Sequence, residues 1–401
     1  MNYIYSDRVK NLGGNAIREI FKLLQDPDVI SFAGGFPTKS TLPTGLIADI
    51  TAKLMASDKA QDILQYGETE GYRPLRLSAI EYVKRYGIEN IDIDNTLIIS
   101  GGQQGIDLTF KTFVNKGDVV LVEDPTYLAS LHILKTYEGV PVGVKSDENG
   151  LDIADLEAKI AQYNPKVLYV VPTFSNPTGR TYSIENRKAI AEITAKYNVM
   201  VLEDDPYSEL RFSGQRVPSI KSFDKVGNVT YMTSFSKTLA PGLRTGIAIG
   251  AKEVIRKMTI GKQATDVHTS SLSQAIIDYF LRNNSMDDRL EELKVVYLEK
   301  KTAMLDAIKK YMPKEFKYTN PDGGLFIFGE FDESLGINTL EVFPDLVKKY
   351  KVAYVSGHSF FANEDKFNTL RLNYSNATIE QIEDGICKMG KFFTKLIENK
   401  K

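Results

Sequence analysis

Short apolar runs alternate with amphipathic stretches along the chain from about residue 72. The apolar runs are β-rich and fall at residues 97–99, 119–122, 167–171, 200–202, 229–233 and 247–249. The stretches between them space their apolar residues as a helix does, near 74–86, 103–115, 127–137, 183–196, 252–265 and 270–283. Apolar strands separated by helices are buried on both faces. The pattern therefore predicts an α/β fold with a mainly parallel sheet flanked by helices.

The pattern changes near residue 286, where a long helical segment runs to about 312. Beyond it lies a smaller α+β pattern, with predicted strands at 324–328, 352–355 and 369–374 and a final helix at 377–397. Before residue 30 the sequence reads as an extended arm followed by a helix over 16–24. We therefore predict three parts. They are an arm and helix over 1–45 that contribute to the small domain and the substrate site, a large domain over 46–290, and a small domain over 291–401.

Composition and charge narrow the class of protein. A chain of 401 residues can form two domains, and its formal net charge of −2 gives no reason to expect nucleic acid or an anionic membrane as partner. The single cysteine, Cys387, excludes an intrachain disulfide. The N-terminus has no apolar signal core, and no apolar run is long enough to cross a bilayer. We therefore expect a soluble, cytoplasmic protein.

Chemically useful side chains follow the ends of five predicted strands. The segments are Ser100-Gly101-Gly102-Gln103-Gln104-Gly105, Glu123-Asp124-Pro125-Thr126-Tyr127, Ser175-Asn176-Pro177-Thr178-Gly179, Glu203-Asp204-Asp205-Pro206-Tyr207 and Ser234 to Arg244. In parallel sheets ligands bind beyond the carboxyl ends of the strands. The first segment opens a helix, whose free N–H groups and positive dipole end favour a phosphate. It matches neither the dinucleotide nor the P-loop motif.

The last of these segments places Lys237 between two predicted buried strands. Serines and Arg244 lie on the same short loop, and lysine is seldom buried without a partner. An amine that can form an imine, beside hydroxyls and a guanidinium, suits a cofactor that carries an aldehyde and a phosphate. Taken alone, the stretch is equally compatible with a surface turn. Arg371 likewise points away from its neighbouring leucines, and a solvated strand arginine is the alternative.

With these residues in view, the chain resembles the fold-type I pyridoxal-phosphate (PLP) aminotransferases of class I/II. It is most similar to the branch with the 2-aminoadipate, kynurenine and aromatic aminotransferases. The resemblance runs nearly end to end, and its most specific motifs are Asn176-Pro177-Thr178-Gly179, Asp204-x-x-Tyr207 and Ser234-x-Ser236-Lys237 followed by Arg244. Each motif is weak alone, but their order and separations together are specific.

The resemblance implies a role for each matching residue. Lys237 would form the imine with PLP and move the substrate proton, with Asp204 paired to the pyridine nitrogen. Asn176 and Tyr207 would bind the phenolic oxygen, and Tyr127 would stack on the ring. The implied phosphate ligands are Gly102, Gln103, Ser234, Ser236 and Arg244.

The resemblance also implies substrate contacts and a partner chain. Arg371 would pair with the substrate α-carboxylate, while Gly35 and Asn176 would approach the substrate. Tyr66 matches a tyrosine that reaches the phosphate of the neighbouring subunit, which implies a homodimer with shared active sites.

The donor substrate is less well defined than the reaction. The expected activity moves the α-amino group of 2-aminoadipate, an aromatic or a branched-chain amino acid to a 2-oxo acid such as 2-oxoglutarate. Arg18, at the start of the N-terminal helix, would receive the distal carboxylate of an acidic substrate. A solvated helix arginine is the alternative.

Other classes of protein fit less well. Ser234-x-x-Lys237 matches a serine acyl-transfer motif, but the tripeptides Ser-Asp-Asn and Lys-Thr-Gly that accompany it do not occur. A metal enzyme is disfavoured because the three histidines, His132, His268 and His358, lack ligand-like spacing. A non-catalytic regulator would carry a DNA-binding winged helix in front of an aminotransferase-like domain. It is disfavoured because the aminotransferase-like pattern begins by about residue 15, which leaves no room for such a module. A C–S lyase or a decarboxylase on the same scaffold remains possible.

Overall fold

The computed structural model describes residues 3–10, 12 and 26–400. The strands, in chain order, are β1 (Ile30–Ser31), β2 (Thr96–Ile99), β3 (Val119–Asp124), β4 (Val140–Asp147), β5 (Gly150–Leu151), β6 (Val167–Val170), β7 (Met200–Asp204), β8 (Val229–Ser234), β9 (Gly246–Ile249), β10 (Phe316–Tyr318), β11 (Phe326–Phe331), β12 (Val352–Ala353), β13 (Val355–Ser356) and β14 (Thr369–Asn373). The α-helices are α1 (Asp7–Lys10), α2 (Thr44–Met55), α3 (Ala60–Leu64), α4 (Arg73–Val83), α5 (Gly102–Phe113), α6 (Leu128–Thr136), α7 (Ile153–Tyr163), α8 (Ile184–Lys196), α9 (Lys252–Asp266), α10 (Ser271–Asn283), α11 (Met286–Tyr311), α12 (Thr339–Tyr350) and α13 (Ile379–Glu398).

The larger sheet has eight strands in the order β2-β9-β8-β7-β6-β3-β4-β5. Neighbours from β8 through β7, β6 and β3 to β4 run parallel, whereas β9 is antiparallel to both of its neighbours. Every residue of β6, β7 and β8 is buried, as expected for strands with helices on both faces. The predicted fold, a mainly parallel sheet flanked by helices, is confirmed.

A second sheet of four antiparallel strands, β10-β11-β14-β13, forms the smaller α+β part of the chain. The short strand β1 pairs in parallel with β12, through Ile30↔Val352 and Ser31↔Ala353. The segment that follows residue 26 is therefore joined to the C-terminal part of the chain. Domain boundaries at residues 45 and 290 stay a prediction, and the predicted helix over 16–24 lies outside the described residues.

Several elements were not predicted from the hydrophobic pattern. Strand β4 contains Pro141 and Gly143 and is partly exposed, so its residues do not read as a buried apolar run. Helix α12 carries Pro344 in its interior, which normally signals a helix end. Helices α2, α3 and α7 and strand β10 were also not predicted. The predicted continuous strand over 352–355 is two short strands, β12 and β13, in different sheets.

Helix α5 contacts the sheet at Gly105, where there is no room for a side chain. A Cβ atom there would lie 2.4 Å from Met232 Sδ and 2.9 Å from Ile99 Cδ1. The close approach fixes the position of the whole helix, including its N-terminus beyond the end of β2. Gly105 therefore links core packing to the position of the phosphate-binding turn predicted from the sequence.

We expect the Gly105→Ala variant to be less stable, because its methyl group overpacks a filled core at a cost of about 1–3 kcal/mol. The thermal-unfolding midpoint of the full chain measures the effect. The matched control is Gly45→Ala in α2, where no atom lies within 4 Å of the position that the added methyl group would take, and the same change should be neutral or stabilising. An unchanged midpoint for Gly105→Ala would contradict this account of the packing.

Candidate active site

Lys237 lies three residues beyond the end of β8 and points toward the N-terminal segment. Its Nζ donates a hydrogen bond to the carbonyl oxygen of Gly35 at 2.6 Å and lies 6.0 Å from the centroid of the Tyr207 ring. Burial lowers the pKa of the Lys237 amine to about 8, and the positive charges of Arg371 and Arg244 act in the same direction. At pH 7 about a tenth of this amine is therefore unprotonated, far more than for an ordinary lysine, and able to act as a nucleophile or a base.

Asp204 is the last residue of β7, and only 5% of its surface is exposed. The Tyr169 hydroxyl donates to its Oδ2 at 2.8 Å. Burial raises the pKa of the Asp204 carboxyl to about 7, and the nearby charge of Asp205 also raises it. No lysine or arginine among the described residues is within ion-pair distance of it. A buried carboxylate without a cationic partner is suited to bind a protonated ring nitrogen.

Arg371 on β14 is buried, with 2% of its surface exposed. Its Nη1 donates to Asn176 Oδ1 at 2.8 Å and its Nη2 donates to the carbonyl oxygen of Ala33. The guanidinium carbon lies 4.5 Å from the centroid of the Phe326 ring and 5.1 Å from that of Phe360. The alternative interpretation of Arg371 as a solvated strand arginine is therefore wrong, because both faces of β14 are covered.

The electrostatics of Arg371 favour an anionic ligand. Burial lowers the pKa of its guanidinium to about 10, against the opposing effect of Tyr207 and Tyr127. Its Nε is buried and has no hydrogen-bond partner. A desolvated guanidinium with an unpaired donor binds a carboxylate strongly. Burial raises the pKa of the Tyr207 phenol, and Asn176, which accepts from Arg371, partly offsets this rise, so the two predicted ligands of the phenolic oxygen lie near each other.

The predicted phosphate ligands converge at the N-terminus of α5. Ser234 Oγ donates to Ser236 Oγ at 2.8 Å, and Arg244 Nη1 donates to the same oxygen at 3.5 Å. Arg244 Nη2 donates to the carbonyl oxygen of Ser100 at 2.9 Å. Hydroxyls, a guanidinium and the free N–H groups of a helix N-terminus are the donors that a phosphate requires.

Gly101 makes this convergence possible and was not predicted as a site residue. Its φ of +87° lies in the left-handed region, and a Cβ atom would stand 2.5 Å from Arg244 Nη2. Of the predicted phosphate ligands that follow it, Gly102 begins α5 and Gln103, in its first turn, is exposed. Only glycine allows the backbone at residue 101 to approach the guanidinium so closely.

Three predicted residues remain, and each has a different outcome. Tyr127 is half-buried, and burial together with the charge of Asp204 raises the pKa of its phenol, which indicates that the two side chains are close. Tyr66 is 84% exposed and packs edge-on against His268, so this chain does not bring it into its own site. Arg18 lies outside the described residues.

Sequence reasoning missed the residues that support the site from behind. Tyr169 orients Asp204, and the rings of Phe326 and Phe360 enclose Arg371. Of these, Tyr169 gave a signal in the sequence, since a tyrosine within a buried apolar strand needs a hydrogen-bond partner.

Among the described residues, there is no cluster of potential metal ligands and no helix long and apolar enough to span a membrane.

The candidate site thus holds an amine, a buried guanidinium and a pair of hydrogen-bonded serine hydroxyls. Comparisons with known proteins identify the family. The sequence profile of the family described as aminotransferase class I and II matches residues 27–388, so the chain belongs to that family. It is a PLP-dependent amino-acid aminotransferase.

Three relatives cover nearly the whole chain. The aromatic-amino-acid aminotransferase 1 of Thermococcus litoralis is 38% identical over 96% of this chain and 93% of its own length. The structure of a Pyrococcus horikoshii kynurenine aminotransferase superposes with a TM-score of 0.93 at 37% identity, over 98% of this chain and 97% of that one. The α-aminoadipate aminotransferase LysN of Thermus thermophilus superposes with a TM-score of 0.90 at 33% identity, over 98% of each chain.

We expect the reactivity of Lys237 in the apoenzyme to rise with pH through a midpoint near 8, because the amine reacts only when unprotonated. Competitive acetylation followed by peptide mapping measures that midpoint. Arg371→Leu removes a repelling positive charge, so the midpoint should move upward. Arg256→Leu, which alters an exposed arginine on α9, is the control and should leave it unchanged. A wild-type midpoint near 10.5, the ordinary value for lysine, would contradict the site electrostatics.

Proposed function

We propose that this aminotransferase uses Lys237, Asp204 and Tyr207 as its catalytic residues. The observation that carries the proposal is that Lys237 and Arg371 meet on one short segment. Lys237 Nζ donates to the carbonyl oxygen of Gly35, while Arg371 donates to that of Ala33. A base for the substrate Cα proton and a ligand for its α-carboxylate therefore lie side by side.

Lys237 has the properties of the proton carrier. When bound, PLP supplies a carbonyl that takes up the substrate amine and a ring that withdraws electrons from the Cα atom. The Lys237 amine, with its pKa lowered to about 8, can take the Cα proton at neutral pH and return it. Tyr207, whose ring lies near Lys237 Nζ, is in a position to hold a neighbouring oxygen by hydrogen bonding.

The cofactor would be held at four points, its ring nitrogen, phenolic oxygen, ring face and phosphate. Asp204, oriented by Tyr169, would keep the ring nitrogen protonated, because a buried carboxylate gains most from a cationic partner. Asn176 and Tyr207 would bind the phenolic oxygen, and Tyr127 would pack against the ring. The proposed phosphate ligands are Gly102, Gln103, Ser234, Ser236 and Arg244.

Arg371 is the proposed ligand of the substrate α-carboxylate. Its guanidinium carbon lies within about 5 Å of two aromatic rings, those of Phe326 and Phe360, and its Nε is a buried donor without a partner. A planar guanidinium binds a carboxylate through two parallel hydrogen bonds. Gly35 and Asn176 would contact the same end of the substrate.

We further propose that the amino donor is 2-aminoadipate, an aromatic or a branched-chain amino acid, and that 2-oxoglutarate is an acceptor. The support comes from relatives named for aromatic amino acids, kynurenine and α-aminoadipate. The proposed role of Arg18 in reading a distal carboxylate belongs to the same proposal and stays a prediction.

We expect the purified holoenzyme to form glutamate from 2-oxoglutarate when supplied with a donor from these classes, without releasing ammonia or CO₂. A panel of acidic, aromatic and branched-chain donors, read by glutamate formation, measures this activity. Lys237→Ala should abolish it because the proton carrier is lost, while the exposed control Lys53→Ala should retain it. Release of ammonia or CO₂ instead would indicate a C–S lyase or a decarboxylase. Absence of any turnover would favour a non-catalytic regulator.

We also propose that two chains form a homodimer in which Tyr66 of each chain completes the phosphate site of the other. Tyr66 is exposed on its own chain, and two further exposed apolar residues are Leu64, beside it in the sequence, and Val267, on the loop next to it. An exposed tyrosine within such a group is a typical interface residue.

Co-expression of two inactive chains tests this shared site. Chains carrying Tyr66→Ala should bind PLP weakly, and chains carrying Lys237→Ala should be inactive. A mixed dimer would contain one intact site, because the Lys237 of one chain meets the Tyr66 of the other. With random pairing, we expect recovery of about a quarter of the wild-type activity. If Tyr66 served its own chain, the mixture would show no such recovery.

A further inference from the structure

Lys262, on helix α9, is a fully buried lysine to which the proposed function assigns no role. Its exposed fraction is 0%, and its Nζ donates to Gln104 Oε1 at 2.8 Å, to both Asp266 oxygens at 2.9 Å and to Thr269 Oγ1 at 3.0 Å. A lysine is rarely removed from water to this extent unless every donor is satisfied. The three donors of this ammonium are directed at two places, the first turn of α5 and the segment 266–269, which ends α9 and forms the loop after it.

The first of these places is the start of helix α5, together with Ser100 just before it. Gln104 Oε1, which accepts from Lys262, also accepts from the backbone N–H of Ser100 at 2.8 Å. The carbonyl oxygen of Ser100 in turn accepts from Arg244. A continuous chain of hydrogen bonds therefore runs from Lys262 through Gln104 and Ser100 to the guanidinium that is proposed to bind phosphate.

Asp266 is held against the same turn. Its Oδ2 accepts from Ser100 Oγ at 3.0 Å and from Gln104 Nε2 at 2.7 Å, in addition to Lys262. A carboxylate is thus hydrogen-bonded to the same residues, Ser100 and Gln104, that lie at the proposed anion site. The Lys262 ammonium neutralises its charge there, as an ion pair in a weakly screened environment does.

The other place, the segment 266–269, carries the support for Tyr66. His268 Nδ1 lies 2.8 Å from the carbonyl oxygen of Thr269, its Nε2 accepts from the backbone N–H of Gly67 at 3.3 Å, and its ring packs against Tyr66. Val267 has a φ of +64°, which is strained for a β-branched residue. Such strain persists only where the surrounding contacts fix the backbone, and Lys262 with Thr269 provides one such contact.

We propose that Lys262 is a positioning residue for the cofactor phosphate. Through its hydrogen bonds to Gln104 and Thr269, it fixes residues 100–104 and the segment 266–269 relative to each other. It also neutralises the charge of Asp266 next to the proposed anion site. This inference rests on the proposed assignment of the phosphate to the serines, Arg244 and the N-terminus of α5. It predicts that Lys262 affects recognition of the phosphate and not of the aldehyde ring.

The experiment compares two probes on the apoenzyme, PLP and pyridoxal, which differ only in the phosphate. Affinities are measured by calorimetric titration in phosphate-free buffer. We expect Lys262→Met to raise the Kd for PLP by about tenfold to a hundredfold, because charged hydrogen bonds are lost and an uncompensated carboxylate is left behind. The Kd for pyridoxal should change by less than about threefold.

A double variant that also neutralises Asp266 separates the loss of the Lys262 hydrogen bonds from the repulsion by the uncompensated carboxylate. In Lys262→Met/Asp266→Asn the repelling carboxylate is also removed, so part of the PLP affinity should return.

The matched control is Lys111→Met, which should leave both affinities unchanged. Lys111 links the same two helices, α5 and α9, through Thr265 at a more exposed position. If the single variant does not fold, the double variant carries the test. We then expect its preference for PLP over pyridoxal to fall at least about threefold below that of the wild type.

The results distinguish this inference from the proposed function. If wild-type apoenzyme binds pyridoxal as tightly as PLP, the assignment of the phosphate ligands is wrong. If the wild type prefers PLP but the Lys262 variants keep the same preference, or weaken both probes equally, then Lys262 is a structural residue only and the inference is overturned.

Discussion

Because β3, β6, β7 and β8 run parallel, the residues that follow their carboxyl ends meet at one edge of the sheet. The site depends on this single geometric constraint. It brings Asp204 at the end of β7 close to the lysine loop that leaves β8, although a long connection separates the two strands in sequence. The close packing of α5 through Gly105 then fixes where the anion-binding turn lies relative to both.

Burial acts on the charged groups of the site in a consistent way. It lowers the pKa of Lys237 and Arg371 and raises that of Asp204, so each group is less strongly charged than it would be in water. Arg371 also has a buried Nε without a hydrogen-bond partner, which a carboxylate would satisfy. The desolvation of these groups therefore takes place during folding, and the ligands gain the resulting interactions on binding.

The site is covered by parts of the chain that are distant in sequence. Strand β1 joins the C-terminal part through β12, and the segment after it supplies the carbonyl groups that accept from Lys237 and Arg371. On the opposite side, Lys262 and Asp266 connect the anion-binding turn to the loop beside Tyr66. The proposed phosphate site and the proposed contact between chains are therefore both supported by the hydrogen bonds of Lys262.

The sequence by itself determined the fold class, because the period of apolar residues reflects burial on both faces of each strand. It also pointed to Lys237, Asp204, Asn176 and Arg244, which lie in short motifs directly after predicted strands. Only the tertiary structure decided the roles of Tyr169, Gly101 and Lys262. Lys262 and its partner Gln104 are 158 residues apart. Lys262 belongs to no motif, and Gln104, although it lies in the segment after β2, had no predicted role. A local pattern carries no information about such a contact, since the partner is set by how the helices pack.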